Sequence, residues 1–387
     1  MKNSKYFSLI FALFLSACSS THTLDKRVTE DNYRVVTVNS ENNSTQEPIR
    51  FWPDQEFDFL FSEDGNKTPL KVTGEHLNIL ALSGGGANGA FGTGVINGLY
   101  DSGQLEEYTI ITGISAGSLI APFVFAGGAR LKSVILGIND KMVLGKRNFL
   151  NAIFKDAFTN GDSLFEFIEQ VYTTEIIEKI AQQHRSGRRL FIGTTHFDSD
   201  QLVVWNIGQI AQSEQSNKTH LIHQILAASS SIPGVFPPQF IEVNDKGDHF
   251  EELHVDGGMA TQVFFKPGKL DYNQINNALG LSTKPQVHVI RNGVLKMPYQ
   301  SLPDKGVPLL NRSISSMVVQ QTRGDMYRMF YFSEQGELDL AFTYMDDSFK
   351  GKKLSKEMFE LEYMQMLYQF GYQKSHQKAP WTKEMPQ

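Results

Sequence analysis

The run Tyr108-Thr-Ile-Ile-Thr-Gly113-Ile-Ser115-Ala-Gly117 sets a serine between two glycines at equal spacing. β-Branched residues suit a pleated sheet and glycine ends the run, so residues 109–112 are expected to form a buried strand, with a helix starting just after it. A strand that turns sharply into a helix leaves Ser115 in a tight corner, where Gly113 and Gly117 lack the Cβ atoms that would strike backbone on either side. The hydroxyl then points outward. Unpaired N–H groups of the first helical turn and the positive end of its dipole would stabilise charge developing on a carbonyl oxygen bound there. That is the chemistry of a serine nucleophile in acyl transfer. The five-residue pattern alone fits a glycine-flanked serine in an ordinary turn equally well.

A second chemical element lies upstream. Leu77-Asn-Ile-Leu-Ala-Leu82 has strand length and leads into Ser83-Gly84-Gly85-Gly86-Ala87-Asn88-Gly89-Ala90-Phe-Gly92, and then into an amphipathic segment from Thr93 to Asp101 that ends at Ser102-Gly103. Glycines at 84, 86 and 89 match a dinucleotide fingerprint, but such a unit carries an acidic residue at the end of its next strand. Here the next strand ends in Gly113-Ile-Ser115. The other use of successive glycines is to turn consecutive N–H groups onto one oxygen, so Gly84, Gly85 and Gly86 are read as an oxyanion hole. Two strand–loop–helix units in succession favour neighbouring parallel strands, with both loops at the carboxyl edge of the sheet.

Gly84-Gly-Gly-Ala-Asn-Gly89 followed by Gly113-Ile-Ser-Ala-Gly117 resembles the patatin-like phospholipase family. The resemblance implies a lipid acyl hydrolase with a Ser-Asp dyad on a three-layer α/β/α sandwich, its central sheet mostly parallel. Two further blocks fit it: Ala227-Ala-Ser-Ser-Ser-Ile-Pro233-Gly-Val-Phe-Pro-Pro238, and Asp256-Gly257-Gly258, which in the family holds the second catalytic residue. Ser115 is then the nucleophile and Asp256 its base, delivered at the end of a strand over 251–255. A serine hydroxyl needs such a base within hydrogen-bond reach, and a carboxylate whose pKa is about 4 in water serves better if burial raises it. The implied mechanism calls for no metal or organic cofactor. One position departs from the family: Asn88 stands where its glycine loop usually carries Arg or Lys, which puts charge-based help to the oxyanion in doubt. An α/β-hydrolase triad shares Gly-x-Ser-x-Gly, but its chain order would require His288, in Gln286-Val-His-Val-Ile290, as base. A non-catalytic envelope lipid-binding or scaffold lipoprotein is the reading from another class.

The 387 residues, 41% hydrophobic and 20% charged, have a globular composition, and a net charge of -6 gives no basic footprint for nucleic acid. Residues 1–17 carry two lysines, an apolar stretch too short to span a bilayer, and small residues, as a secretory signal does. Leu15-Ser16-Ala17-Cys18 resembles the lipobox of bacterial lipoproteins, which implies lipidation of Cys18, a membrane partner, and, with Ser19 following, the outer membrane of a bacterial envelope. Cys18 is the only cysteine, so no disulfide within the chain is possible. The expected organisation is a signal peptide (1–17), a lipid-anchored tether and extension (18–76), the catalytic domain (77–290), and a mostly helical extension packed on it (291–387). Phe51, Trp52, Phe57, Phe59 and Phe61 are read as covering one side of the core, His196 as a hydrogen-bonded loop residue, and His220 and His223 as solvent-facing on a helix over 217–228.

Overall fold

A computed structural model describes residues 26–38, 47–55, 58–62, 65–128, 131–137, 162–266, 269–355 and 357–385. The expected signal peptide, Cys18 and Phe57 lie outside them. Among the described residues the central sheet has nine strands: β1 (Arg50–Phe51), β2 (Asn78–Leu82), β3 (Ile110–Ile114), β4 (Arg189–His196), β5 (Gln201–Asn206), β6 (Gln239–Asp245), β7 (Asp248–Asp256), β8 (Gln286–Arg291) and β9 (Asp339–Tyr344). Along the sheet the order is β1-β5-β4-β3-β2-β8-β9. Its centre is parallel, since β4, β3, β2, β8 and β9 all pair in that sense, while β1, β5, β6 and β7 pair antiparallel.

Period-two alternation sends the apolar strand residues to two separate cores. Leu80, Leu82 and Ile111 face one layer of helices, and Ile79, Ala81 and Ile110 face the other. The first layer holds α1 (Gly89–Asp101), α2 (Ala116–Phe125), α3 (Leu131–Gly137), α4 (Asp162–Val171), α5 (Thr174–Arg185), α6 (Ile207–Gln212), α7 (Lys218–Ser229) and, from the carboxyl-terminal third, α10 (Leu361–His376). The second is built on α8 (Tyr272–Leu279) and α9 (Gly306–Glu334), with Phe51, Leu60 and Leu70 beside them. The architecture is the expected α/β/α sandwich, with a helical carboxyl-terminal region.

Three local expectations need correction. The segment after 290 also supplies a strand, β9, which extends the sheet parallel to β8. Leu354 to Tyr372 shows helical spacing in the sequence, but the last helix starts only at Leu361, because the Glu360 carboxylate accepts the N–H groups of Leu354 and Ser355 ahead of it. His223 is buried, with Nε2 against the Tyr172 carbonyl at 2.8 Å, whereas His220 is exposed as expected. Packing of α7 against α4 covers the face that carries His223.

Candidate active site

β3 ends at Ile114 and α2 begins at Ala116, which leaves a single residue to make the turn. Ser115 adopts φ 51°, ψ −122°, a backbone conformation that costs a non-glycine residue of order 1–3 kcal/mol and persists only when its surroundings over-determine it. They do so here. The Ser115 N–H donates to Ser229 Oγ at 3.0 Å, and Ser229 Oγ donates to the Gly193 carbonyl at 2.7 Å. The Ser115 carbonyl accepts from both the N–H and the hydroxyl of Ser118. A Cβ on Gly117 would stand 2.3 Å from the Leu82 carbonyl oxygen, so the elbow can close against β2 only with glycine there.

Asp256 reaches this corner along β4. Residues 189–193 of that strand pair with β3, and residues 194–196 pair with β7, while β5 pairs with residues 191–196 along the opposite edge. β3 leaves the sheet at Ile114, opposite Gly193. The antiparallel β7 takes up the vacated edge and ends at Asp256, opposite Thr194. Two residues 141 positions apart therefore meet end to end, and Ser115 Oγ donates to Asp256 Oδ2 at 2.6 Å. The other carboxylate oxygen accepts the Gly258 N–H at 2.7 Å, and Thr195 Oγ1 holds the Asp256 carbonyl at 2.9 Å.

Asp256 is buried, and burial pushes its pKa from 3.8 up to about 6, against the opposing pull of the bonds from Ser115 and Gly258. The carboxylate is thus ionised at neutral pH yet basic enough to accept a hydroxyl proton. Among the described residues no histidine bonds to Ser115 or Asp256. His288 is held elsewhere, with Nδ1 on the Tyr108 hydroxyl at 3.0 Å and its ring stacked on Trp381, and burial lowers its pKa to about 4.

The glycine loop packs beside the elbow, as a Cβ on Gly84 would lie 3.2 Å from that of Ser115. Of the three amides expected to face an oxyanion, one is already engaged: the Gly84 N–H donates to the Gln262 carbonyl at 3.0 Å. Among the described residues the amides of Gly85 and Gly86 have no partner, and Gly86 and Ala116 both line the cleft at Ser115. Ala116 opens α2, where the first N–H groups have no partner within the helix. The available donors are therefore Gly85, Gly86 and Ala116.

Residues after the family-like blocks hold this loop in place. Arg291 Nη1 donates to the Gly84 carbonyl at 3.0 Å, the Asn292 N–H donates to Ser83 Oγ, and Asn292 Nδ2 donates to the Ser83 carbonyl. Gly85 lies so close that an added Cβ would fall 2.2 Å from the Asn292 carbonyl oxygen. Asn88, at the position where the family carries a cation, makes no side-chain capping bond to α1. The buried guanidinium on the loop comes from the end of β8 instead, and its bond to the Gly84 carbonyl polarises the peptide group whose N–H is that of Gly85. Nothing in the glycine-loop motif signals either partner.

From Ser115 a narrow cleft opens between the loop and the helices. Gly86, Ser115, Ala116 and Ser230 form its polar end, and Leu119, Leu164, Phe167, Phe236, Phe359 and Met364 form an apolar wall. The last two come from the carboxyl-terminal third. Among the described residues no group of three or more His, Cys, Asp or Glu side chains could hold a metal ion.

A profile of the family described as patatin-like phospholipase matches residues 80–267. An uncharacterized protein of Acanthamoeba polyphaga mimivirus is 25% identical over 195 residues, covering 49% of this chain and 63% of that protein. The chain thus spans less than two thirds of that relative's length. Among solved structures, VipD from Legionella pneumophila aligns with a TM-score of 0.39 at 15% identity, over 82% of this chain and 68% of its own. The type III effector protein ExoU aligns with a TM-score of 0.34 at 12% identity, over 79% and 52% respectively. Ser115, Asp256 and the glycine loop beside them all fall inside the matched segment, and that segment, just under half of the chain, is a domain of the patatin-like phospholipase family.

Proposed function

We propose that this protein is a serine lipid acyl hydrolase of the phospholipase A or lysophospholipase type, cleaving fatty acyl esters through a Ser115–Asp256 dyad. The observation that carries the reading is the 2.6 Å hydrogen bond from a strained serine to a buried aspartate at the mouth of an apolar cleft. Ser115 Oγ attacks the ester carbonyl as its proton passes to Asp256 Oδ2. The tetrahedral oxyanion is held by the amides of Gly85, Gly86 and Ala116. Collapse breaks the ester C–O bond, and the departing alkoxide takes the proton from Asp256, leaving an acyl-enzyme. Water then attacks the acyl carbon, gives its proton to Asp256, and releases the fatty acid as Ser115 recovers its hydrogen. The apolar wall suits an acyl chain better than a sugar or a peptide.

The amino-terminal pattern supports a setting for this chemistry. Lipidation at Cys18 after removal of residues 1–17 would tether the enzyme, through residues 18–76, to the outer membrane of a bacterial envelope, next to its substrate. Residues 77–290 then act as the catalytic domain and 291–387 as an extension that completes its pocket wall. The test is hydrolysis of a nitrophenyl fatty ester by the full chain carrying Cys18→Ser and by the same chain with Ser115→Ala. Loss of turnover by about 10⁴-fold or more is expected. Equal rates would leave a lipid-binding protein that does no chemistry.

A further inference from the structure

The second half of α9 packs normally, with Val319, Thr322, Met326 and Met329 buried at helical spacing. Its first half does not. Of the described side chains from 306 to 318 none is buried, and Leu310, Ile314 and Met317 are 59%, 53% and 70% exposed. Positions 310, 314, 317 and 321 lie on one stripe of a helix, because steps of four, three and four residues return to the same side. Gln321 ends that stripe at the active site: its Nε2 donates to the Met259 carbonyl at 3.3 Å, and its Oε1 accepts from Gln262 Nε2 at 3.2 Å. Met259 belongs to the turn that follows Asp256 and is itself 48% exposed. The apolar stripe thus starts beside the catalytic turn and runs outward for about 16 Å, at 1.5 Å per residue.

The charge on this arm is one-sided. Between Lys305 and Gly324 the charged residues are Lys305, Arg312 and Arg323, with no acidic residue. None of the three is paired with a described carboxylate; Arg312 and Arg323 donate to the backbone carbonyls of Pro298 and Leu295. By the 100° step of a helix all three fall on the side opposite the apolar stripe. Asp304 and Asp325 bound this stretch, and between them an apolar face is backed by cations alone, the pattern of a helix that lies in a membrane interface and favours anionic lipid.

We propose that the first half of α9 is an interfacial helix, which lays Leu310, Ile314 and Met317, continued by Met259, into an anionic lipid surface and so turns the Ser115 cleft toward it. This surface deepens the hydrolase reading and rests on it for its purpose, but lipid binding itself does not require turnover. The probe is vesicles of phosphatidylcholine with about a third phosphatidylglycerol, mixed with the chain from residue 18 onward carrying Cys18→Ser, so that neither the signal segment nor an acyl anchor contributes. The chain is expected to sediment with these vesicles. Leu310→Ser, Ile314→Ser and Met317→Ser together are expected to weaken binding by tenfold or more, given the apolar area withdrawn from lipid. Because no described residue of 306–318 is buried, the same variant should keep the parental melting temperature and turn over a soluble nitrophenyl butyrate at the parental rate, while hydrolysis of vesicle phospholipid falls with binding. Arg312→Glu should weaken binding to anionic vesicles and leave the weak binding to neutral ones unchanged. Two results overturn the proposal: a triple variant that sediments like its parent, or a parent that is dimeric and becomes monomeric in the triple variant, which makes the stripe a contact between copies. A Ser115→Ala chain that binds vesicles normally yet hydrolyses ester at the parental rate overturns the hydrolase reading alone.

Discussion

The raised pKa of Asp256 makes a prediction that separates this site from a serine with an ordinary carboxylate nearby. Only the ionised aspartate can take the Ser115 proton, so turnover should fall as pH drops through about 6. At pH 5, one unit below, roughly a tenth of the carboxylate stays charged, and kcat/KM should be about tenfold below its plateau. A carboxyl left at 3.8 would still be more than nine-tenths ionised there and would lose almost nothing. The assay is kcat/KM for a soluble nitrophenyl butyrate across about pH 4 to 8, since that ratio reports the free enzyme's base. An acid limb near pH 4, or none, would refute the claim that burial tunes this base. The same shift bears on stability. Below pH 3.8 the group is protonated folded and unfolded, and its burial carries no electrostatic cost; the cost appears as pH rises from 3.8 to about 6 and is complete above, at about 3 kcal/mol. Asp256→Asn can keep an acceptor for the Gly258 N–H and set its amide against Ser115 Oγ. It should abolish turnover yet raise unfolding free energy at pH 7 by up to about 3 kcal/mol, an advantage that urea titration should find gone at about pH 4.

Ser229→Ala removes the acceptor of the Ser115 N–H and the donor to Gly193; kcat should fall by about tenfold with KM kept, at a cost of about 1–3 kcal/mol in a urea titration. His288→Ala should retain most turnover, because that ring serves Tyr108 and Trp381, and the loss should register as a lower melting temperature. Phe359→Leu and Met364→Ala enlarge the apolar end of the cleft, so the acyl length hydrolysed fastest in a nitrophenyl ester series should increase in both, with Ser115 chemistry on acetate esters unaltered.

The parts of this site that could be read in the amino-acid order are those fixed by contacts close along the chain or by backbone sterics. Gly113-Ile-Ser115-Ala-Gly117 after a β-branched run makes a strand, a corner and a helix almost wherever it occurs, because only glycine allows the corner to close against Leu82. The apolar runs at 77–82, 109–112 and 286–290 declare a buried parallel sheet for the same local reason. Asp256 stood out only by its likeness to a family block, since an aspartate at a strand end has no chemistry of its own. That it meets Ser115 was decided by β4, which is longer than β3 and gives β7 an edge to occupy. Which glycine amides remain free depended on Gln262, and what steadies the loop depended on Arg291 and Asn292, partners about 200 residues away that no spacing rule connects to it. Likewise β9, the buried His223 and the Phe359–Met364 wall follow from which helix and strand faces the folded chain brings together. Periodicity along a sequence says that a face is apolar; the neighbour that covers it, or leaves it bare as on the first half of α9, is chosen only when the layers assemble.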